Sequence, residues 1–304
     1  MTRTVRLQPL VRARVAALGA AGQRWQDALP DVLDELAVRW SLRYDRTVPG
    51  GSASYVVGAR TADGADVVVK VALPDPGLSA QVAALERAAG CGYARLLAYD
   101  ADRGAFLLER LGASLSHSRR TPEEQLGILA DSLRRAWRPA GGPAVDKAAG
   151  LQELITTAWD RLGRPCPRRV VDQALTYADR RSADPGEPVV VHGDPHPGNL
   201  LAALRPRAGA ETGYCFVDPD GFEADCAYDL GVALRDWCGR LGGPDARRVL
   251  ERYCGILAER TGVDAVRIWE WGFVERVSTG LYVLDTVGSP AVGRPFLDTA
   301  GRLL

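Results

Sequence analysis

Between Gln23 and Trp40 the apolar residues Trp25, Leu29, Val32, Leu33, Leu36 and Trp40 fall on one stripe. That 3.6-residue spacing predicts an amphipathic helix. The chain then turns to strand-like runs. Ser54 to Arg60 and Asp66 to Leu73 are rich in valine, and Ala62-Asp63-Gly64 between them reads as a hairpin turn. A short helix, Leu78 to Ala89, follows. Two more strands, Ala94 to Tyr99 and Ala105 to Glu109, flank a turn at Asp100 to Gly104. Strands packed with a helix predict a small α+β unit ending near Leu111.

Beyond Leu111 the helical period dominates. The spacing predicts helices over Pro122 to Trp137, Leu151 to Leu162, Arg168 to Arg181, Asp229 to Arg240, Asp245 to Arg260 and Ala265 to Thr286. Ala140 to Pro143 and Ala183 to Pro188 read as loops. Two short apolar strands interrupt the helices, Val189 to Val191 and Tyr214 to Val217, and each runs directly into a polar motif. The expected organisation is a β-rich lobe over 1–111, with a helix at its start and a hinge at its end, and a helical lobe over 112–304.

Composition narrows the function classes. The 304 residues are 46% hydrophobic and 25% charged, ordinary for a globular protein able to bury a core without disulfides or metals. Thirty-eight basic residues balance 38 acidic ones, so no global field draws in nucleic acid or an anionic membrane. No apolar run reaches the ~18–20 residues of a membrane span. The first ten residues lack the apolar core of a signal peptide. Six scattered cysteines form no Cys-x-x-Cys pair, as expected of free thiols in a reducing cytoplasm. One bias is informative: Lys70 and Lys147 are the only lysines, and every other basic side chain is arginine.

The main chemical signal is His192-Gly193-Asp194 followed by Asn199, with Asp218 after the next strand. Phosphoryl transfer needs a carboxylate beside the acceptor hydroxyl and oxygen ligands for Mg²⁺. Kinase catalytic loops supply them at this Asp-to-Asn spacing, with a further Asp downstream. Asp194 is then the base or orienting group, and Asn199 and Asp218 the metal ligands. Pro195, Pro197 and Gly198 exclude a helix between them. A rival reading makes His192, Asp194 and His196 a transition-metal cluster in a hydrolase. The two prolines argue against the paired strand that would align them.

Lys70 sits inside the valine strand Asp66 to Leu73, where an ammonium needs an anion to offset its desolvation. It resembles the kinase lysine that contacts the α- and β-phosphates. Its helix partner is Gln81 or Glu86. Gly50, Gly51 and Ser52 lie one hairpin earlier and are candidates to cover the phosphates with backbone N–H groups. The backbones of Glu109 and Leu111, at the end of the last small-lobe strand, are candidates for adenine.

These motifs resemble the aminoglycoside phosphotransferase superfamily, within it the streptomycin 6-kinase branch that includes hydroxyurea-type kinases. The carriers are Trp40-Ser-Leu through Pro49-Gly-Gly-Ser, Asp63-Gly64 to Lys70, Ala94-Arg-Leu-Leu-Ala, Leu107 to Leu111, His192 to Asn199 and Val217 to Leu230. The resemblance implies a two-lobed protein-kinase-like fold, ATP or GTP as donor, Mg²⁺, and phosphorylation of a hydroxyl. It carries over to Lys70, Asp194, Asn199 and Asp218. It adds Asp229, expected to cap the helix after the metal segment and to brace the loop. Asp218-Pro219-Asp220 departs from the Asp-Phe-Gly of protein kinases, so their regulatory flip is not expected. A nucleotide-binding pseudoenzyme is disfavoured by the intact set.

The acceptor implied is a cationic aminocyclitol, with another metabolite or a hydroxyurea-like compound as the alternative. Asp220, Glu223, Asp225, Asp236, Glu270, Glu275 and Asp285, among Trp237, Trp269, Trp271 and Tyr282, suit a guanidinium or ammonium sugar. The protein is expected to be a monomer or a dimer.

Overall fold

The computed structural model describes residues 5–48, 53–75 and 77–304. Two helices that pack on each other open the chain, α1 (Pro9–Ala17) and α2 (Gly19–Arg39). The apolar stripe places α2 as expected, and Leu29, Leu33 and Leu36 are buried along it. α1 carries only Val11 and Val15 as buried apolar positions, too few to show a period. Gly22 lets the pair approach, since a Cβ there would lie 2.1 Å from Val15 O.

A five-stranded antiparallel sheet follows, from β1 (Leu42–Thr47), β2 (Ser54–Thr61), β3 (Asp66–Ala72), β4 (Leu96–Asp100) and β5 (Ala105–Glu109), in the order β1-β2-β3-β5-β4. β1 was not legible beforehand: Leu42-Arg-Tyr-Asp-Arg-Thr is an edge strand with two apolar positions. Helix α3 (Leu78–Ala88) joins β3 to β4. Alternation along β3 decides the site. Val67, Val69 and Val71 face a core with α2, together with Val57 and Leu107. Lys70 points the other way, and it is registered against Val56 on β2 and Phe106 on β5. On that face Phe106, Leu108, Val82 and Leu85 belong to the same core as the helical part of the chain.

After residue 111 come α4 (Pro122–Ala136), β6 (Arg138–Pro139), α5 (Lys147–Arg161), α6 (Arg168–Ala183), β7 (Pro188–Val190), β8 (Leu200–Ala202), β9 (Tyr214–Phe216), β10 (Glu223–Asp225), α7 (Cys226–Arg235), α8 (Ala246–Thr261), α9 (Ala265–Tyr282) and α10 (Pro290–Leu303). The start of α4 is set by a capping box, Thr121 with Glu124. α5 begins four residues before the expected Leu151 because Asp146 caps it by accepting from Ala149 N. α7 begins at Cys226 rather than at Asp229, because Asp225 takes the cap by accepting from Ala227 N. Asp229 therefore lies inside the helix and does not cap it. Pro290, Gly293 and Pro295 hid α10, which buries Leu297, Ala300 and Leu303. Helix α9 is the hub of this part, packing against α7, α6, α8, α5 and α10. Among the described residues no helix is long and apolar enough to cross a membrane.

Candidate active site

β7 and β9 deliver the two polar motifs side by side. β7 ends at Val190, and the chain enters the loop His192 to Asn199; β8 and β9 then form a two-stranded ladder that returns it to Asp218. Val217 N donates to Asn199 O, and Asp220 N donates to His192 O at 2.7 Å, which ties the two loops together.

His192 is fully buried under the loop, between Tyr93 and Phe216. Its Nδ1 accepts from Asp194 N at 3.1 Å, so Nε2 carries the proton and donates to Val217 O at 3.0 Å. Burial pushes its pKa down to about 4, so the ring is neutral and acts as a strut between the two loops. With both nitrogens engaged it is not a metal ligand. Among the described residues no group of three His, Cys, Asp or Glu side chains is placed to hold a metal, so the transition-metal cluster reading has no support in the geometry.

Asp229 braces the same loop from below. Its Oδ1 accepts from Gly193 N, and its Oδ2 from His192 N and Trp137 Nε1, each at 2.8 Å. Burial pushes its carboxyl up to about 6 against these three donors. Gly193 is required in between: its φ is +91°, and a Cβ there would lie 2.6 Å from Asp220 Oδ2.

Asp194 stands above this platform at the cleft. Arg235 donates to its Oδ1 at 2.6 Å, and His196 Nε2 lies 3.5 Å from Oδ2. His196 Nδ1 accepts from Gly198 N, which leaves Nε2 as the protonated nitrogen. Burial opposes the charge on Asp194, but His196 and Arg235 override it and hold the carboxyl well below its usual range. Asp194 is thus a fixed carboxylate at neutral pH. Arg235, on α7, was not legible as part of the site, because it lies 41 residues away with no spacing signal.

Lys70 is buried, and its Nζ donates to Asp218 Oδ1 at 2.7 Å and to Gln81 Oε1 at 2.9 Å. Gln81 Nε2 in turn reaches Pro219 O at 3.1 Å. The helix partner of Lys70 is therefore Gln81. Glu86 lies on the exposed face of α3. Asp218 holds a left-handed backbone, φ +57°, which costs a non-glycine residue and is held by the contacts on both sides.

Two recesses open on this cluster. One, of about 720 Å³, is lined by Lys70, Gln81, Lys147, Asp194, Asn199, Asp218 and Asp220. The other, of about 480 Å³, is more apolar, with Val56, Val68, Leu108, Leu201 and Val217 around Glu109 and Leu111. They share Lys70, Gly198, Asn199 and Asp218. Glu109 N is taken by Arg95 O, and its carboxylate by Arg207 and Arg95 N, so of the Glu109 groups the carbonyl remains a candidate for a flat ring, together with the Leu111 backbone. Gly50, Gly51 and Ser52 lie outside the described residues. The donor set fits a hard divalent cation. Asn199 Nδ2 is committed to Asp194 O at 3.0 Å, which leaves Oδ1, and Asp218 has a second oxygen beyond the one on Lys70.

The acidic residues proposed for a cationic acceptor are mostly engaged elsewhere. Glu223 accepts from Gly141 N, Gly142 N and Arg87. Asp225 pairs with Arg267 and Trp271, Glu270 with Arg180 and Arg181, and Asp285 with Arg161. Glu275 lies 3.6 Å from Arg235, and Asp236 3.1 Å. Only Asp220 of the seven lines the recess. Acids on an arginine-rich helical scaffold pair with that scaffold first.

The sequence pattern of one family, described as aminoglycoside/hydroxyurea antibiotic resistance kinase, matches residues 39–286. A streptomycin 6-kinase of Streptomyces glaucescens is 31% identical over 94% of this chain and 92% of its own. A hydroxyurea phosphotransferase of Kitasatospora aureofaciens is 30% identical over 91% of this chain and 79% of its own. Among solved structures, the choline kinase LicA of Streptococcus pneumoniae superposes with a TM-score of 0.59 at 12% identity, covering 90% of this chain and 97% of that one. The architecture is that of the protein-kinase-like small-molecule kinases.

Proposed function

Because the chain belongs to the aminoglycoside/hydroxyurea antibiotic resistance kinase family and is a small-molecule phosphotransferase, we propose that it moves the γ-phosphoryl group of ATP to a hydroxyl of a streptomycin-type aminoglycoside. The observation that carries this reading is the convergence of Lys70, Asn199, Asp218 and Asp194 on two adjoining recesses. The lobe boundary at Leu111 then separates a nucleotide-binding sheet from the acceptor side. The enzyme works in the cytoplasm.

In the proposed mechanism the apolar recess takes the purine and the polar one takes the phosphates and the acceptor. Lys70, poised by Gln81, meets the phosphates. Asn199 and Asp218 would hold Mg²⁺, which when bound neutralises phosphate charge. Asp194 accepts a hydrogen bond from the acceptor hydroxyl and aims its oxygen at the phosphorus. A carboxylate held so far below its usual range is a poor proton sink early in the reaction, so orientation is its main contribution. His192, Gly193 and Asp229 keep that carboxylate in place and do not touch the substrate.

The test is ATP consumption and product mass over streptomycin, other aminoglycosides and hydroxyurea. Asp194→Ala lowers turnover by ~10²–10⁴-fold with ATP affinity kept. Wild-type turnover in that variant refutes the role, and no acceptor-stimulated consumption refutes the substrate class. Hydroxyurea is the second reading, favoured by the relative in Kitasatospora aureofaciens and by the engagement of most acids in structural pairs.

A further inference from the structure

The chain writes arginine almost everywhere, and its only two lysines line one recess. Lys70 is accounted for. Lys147, the first residue of α5, approaches the same recess from the helical side. Its Nζ sits over the rings of Phe222 and Tyr228, 5.1 and 5.4 Å from their centroids. Among the described residues it forms no salt bridge, whereas Arg235, Arg267 and Arg161 all pair with carboxylates. Of the acids lining the recess, Asp220 is one whose charge Lys147 offsets. Tyr228, buried behind the recess, touches both Lys147 and Glu275, and the Glu275 carboxylate lies 3.6 Å from Arg235.

An ammonium stacked on two aromatic faces keeps its N–H donors free while the rings replace part of its lost hydration. A guanidinium on these rings would lie flat and present a fixed fork; a lysine presents a compact charge with three donors. We propose that Lys147 is a specificity-determining residue of the acceptor subsite, holding a carbonyl or anionic oxygen of the acceptor beside the hydroxyl that Asp194 orients. This rests on the phosphotransfer reading and deepens it. Cationic groups of any acceptor must project away from Lys147, and an acceptor with an oxygen next to its hydroxyl, such as hydroxyurea, is favoured at this wall.

Steady-state kinetics with hydroxyurea and with streptomycin on the wild type, Lys147→Met and Lys147→Glu test it. Lys147→Met raises KM for hydroxyurea about tenfold, the loss of one charge-assisted hydrogen bond, with KM for ATP unchanged. Lys147→Glu raises it further and lowers KM for streptomycin. A raised KM for ATP places Lys147 on the nucleotide and overturns the proposal, as do unchanged acceptor KM values. Turnover of neither compound by the wild type is the failure of the substrate reading alone. A second readout then judges Lys147. After reductive ¹³C-methylation the two lysines give two side-chain resonances, and Lys147→Arg assigns them. Formate moves the Lys147 resonance and ATP–Mg²⁺ moves that of Lys70. A Lys147 resonance unmoved by formate, or moved by ATP–Mg²⁺ as far as that of Lys70, overturns the proposal.

Discussion

Replacing Asp229 by Asn isolates the brace beneath the catalytic loop. The carboxylate receives three buried N–H groups, two from the loop backbone and one from Trp137. The Asn side chain has one oxygen. Facing His192 and Trp137 it keeps two donors and turns its own NH₂ on Gly193 N; facing Gly193 it leaves two donors bare. At best one buried donor loses its acceptor, which costs ~1–3 kcal/mol. Total stability is only ~5–15 kcal/mol. With m of ~2–3 kcal/mol/M, the urea midpoint falls by about 0.3–1.5 M. Gly193 N is one residue from Asp194, so the loop shifts and turnover drops as well; a displacement of ~1 Å costs ~10²-fold. The deficit also depends on pH. The folded pKa of Asp229 is raised to about 6 from an unfolded value near 3.8, so its contribution is complete below the unfolded value and is lost as pH rises through about 6. The variant has no such group, and its deficit is largest below about pH 4 and shrinks as pH rises through about 6. Urea titrations at several pH values, with turnover measured on the same samples, are the assay. A variant within ~0.5 kcal/mol of wild type at every pH, with turnover within twofold, refutes the brace.

Three further outcomes follow from the same geometry. Asp218→Ala removes the partner of Lys70 and the proposed metal ligand, so calorimetric ATP binding weakens and no longer responds to Mg²⁺; equal binding in EDTA by the wild type contradicts it. Gln81→Ala frees Lys70 from its link to Pro219 O and raises KM for ATP by ~2–10-fold, the worth of one hydrogen bond, whereas Glu86→Ala leaves KM unchanged; a reversed pattern contradicts the assignment. His192 has a folded pKa lowered to about 4 from 6.5, so the stability it contributes is present above pH 6.5 and falls by about 3 kcal/mol as pH drops toward 4; His192→Asn removes that slope, and an unchanged slope in thermal melts sinks the account.

Local signals were legible where chemistry forces a residue type at a short spacing. His192 to Asn199 could be read because one loop must carry both the carboxylate and the amide. Lys70 stood out because an ammonium in a valine strand has no local reason to be there. Apolar stripes located α2 and most helices of the second part, since burial of one face repeats every 3.6 residues. α1, β1 and α10 escaped because their few apolar positions are short, edge-like or broken by proline. The partners of these groups were a different matter. Lys70 meets Asp218 across 148 residues, Trp137 meets Asp229 across 92, and Arg235 meets Asp194 across 41. No spacing encodes such pairs. Competition among the arginines of the folded chain decided which acids stay free, and it left Asp220 in the recess while the others went into structural pairs. The sequence alone singled out candidates for phosphoryl transfer by residue type and short spacing. Packing of the sheet on the helical core decided which of them face the cleft, because a charge is available to a substrate only if nothing nearer in the fold neutralises it.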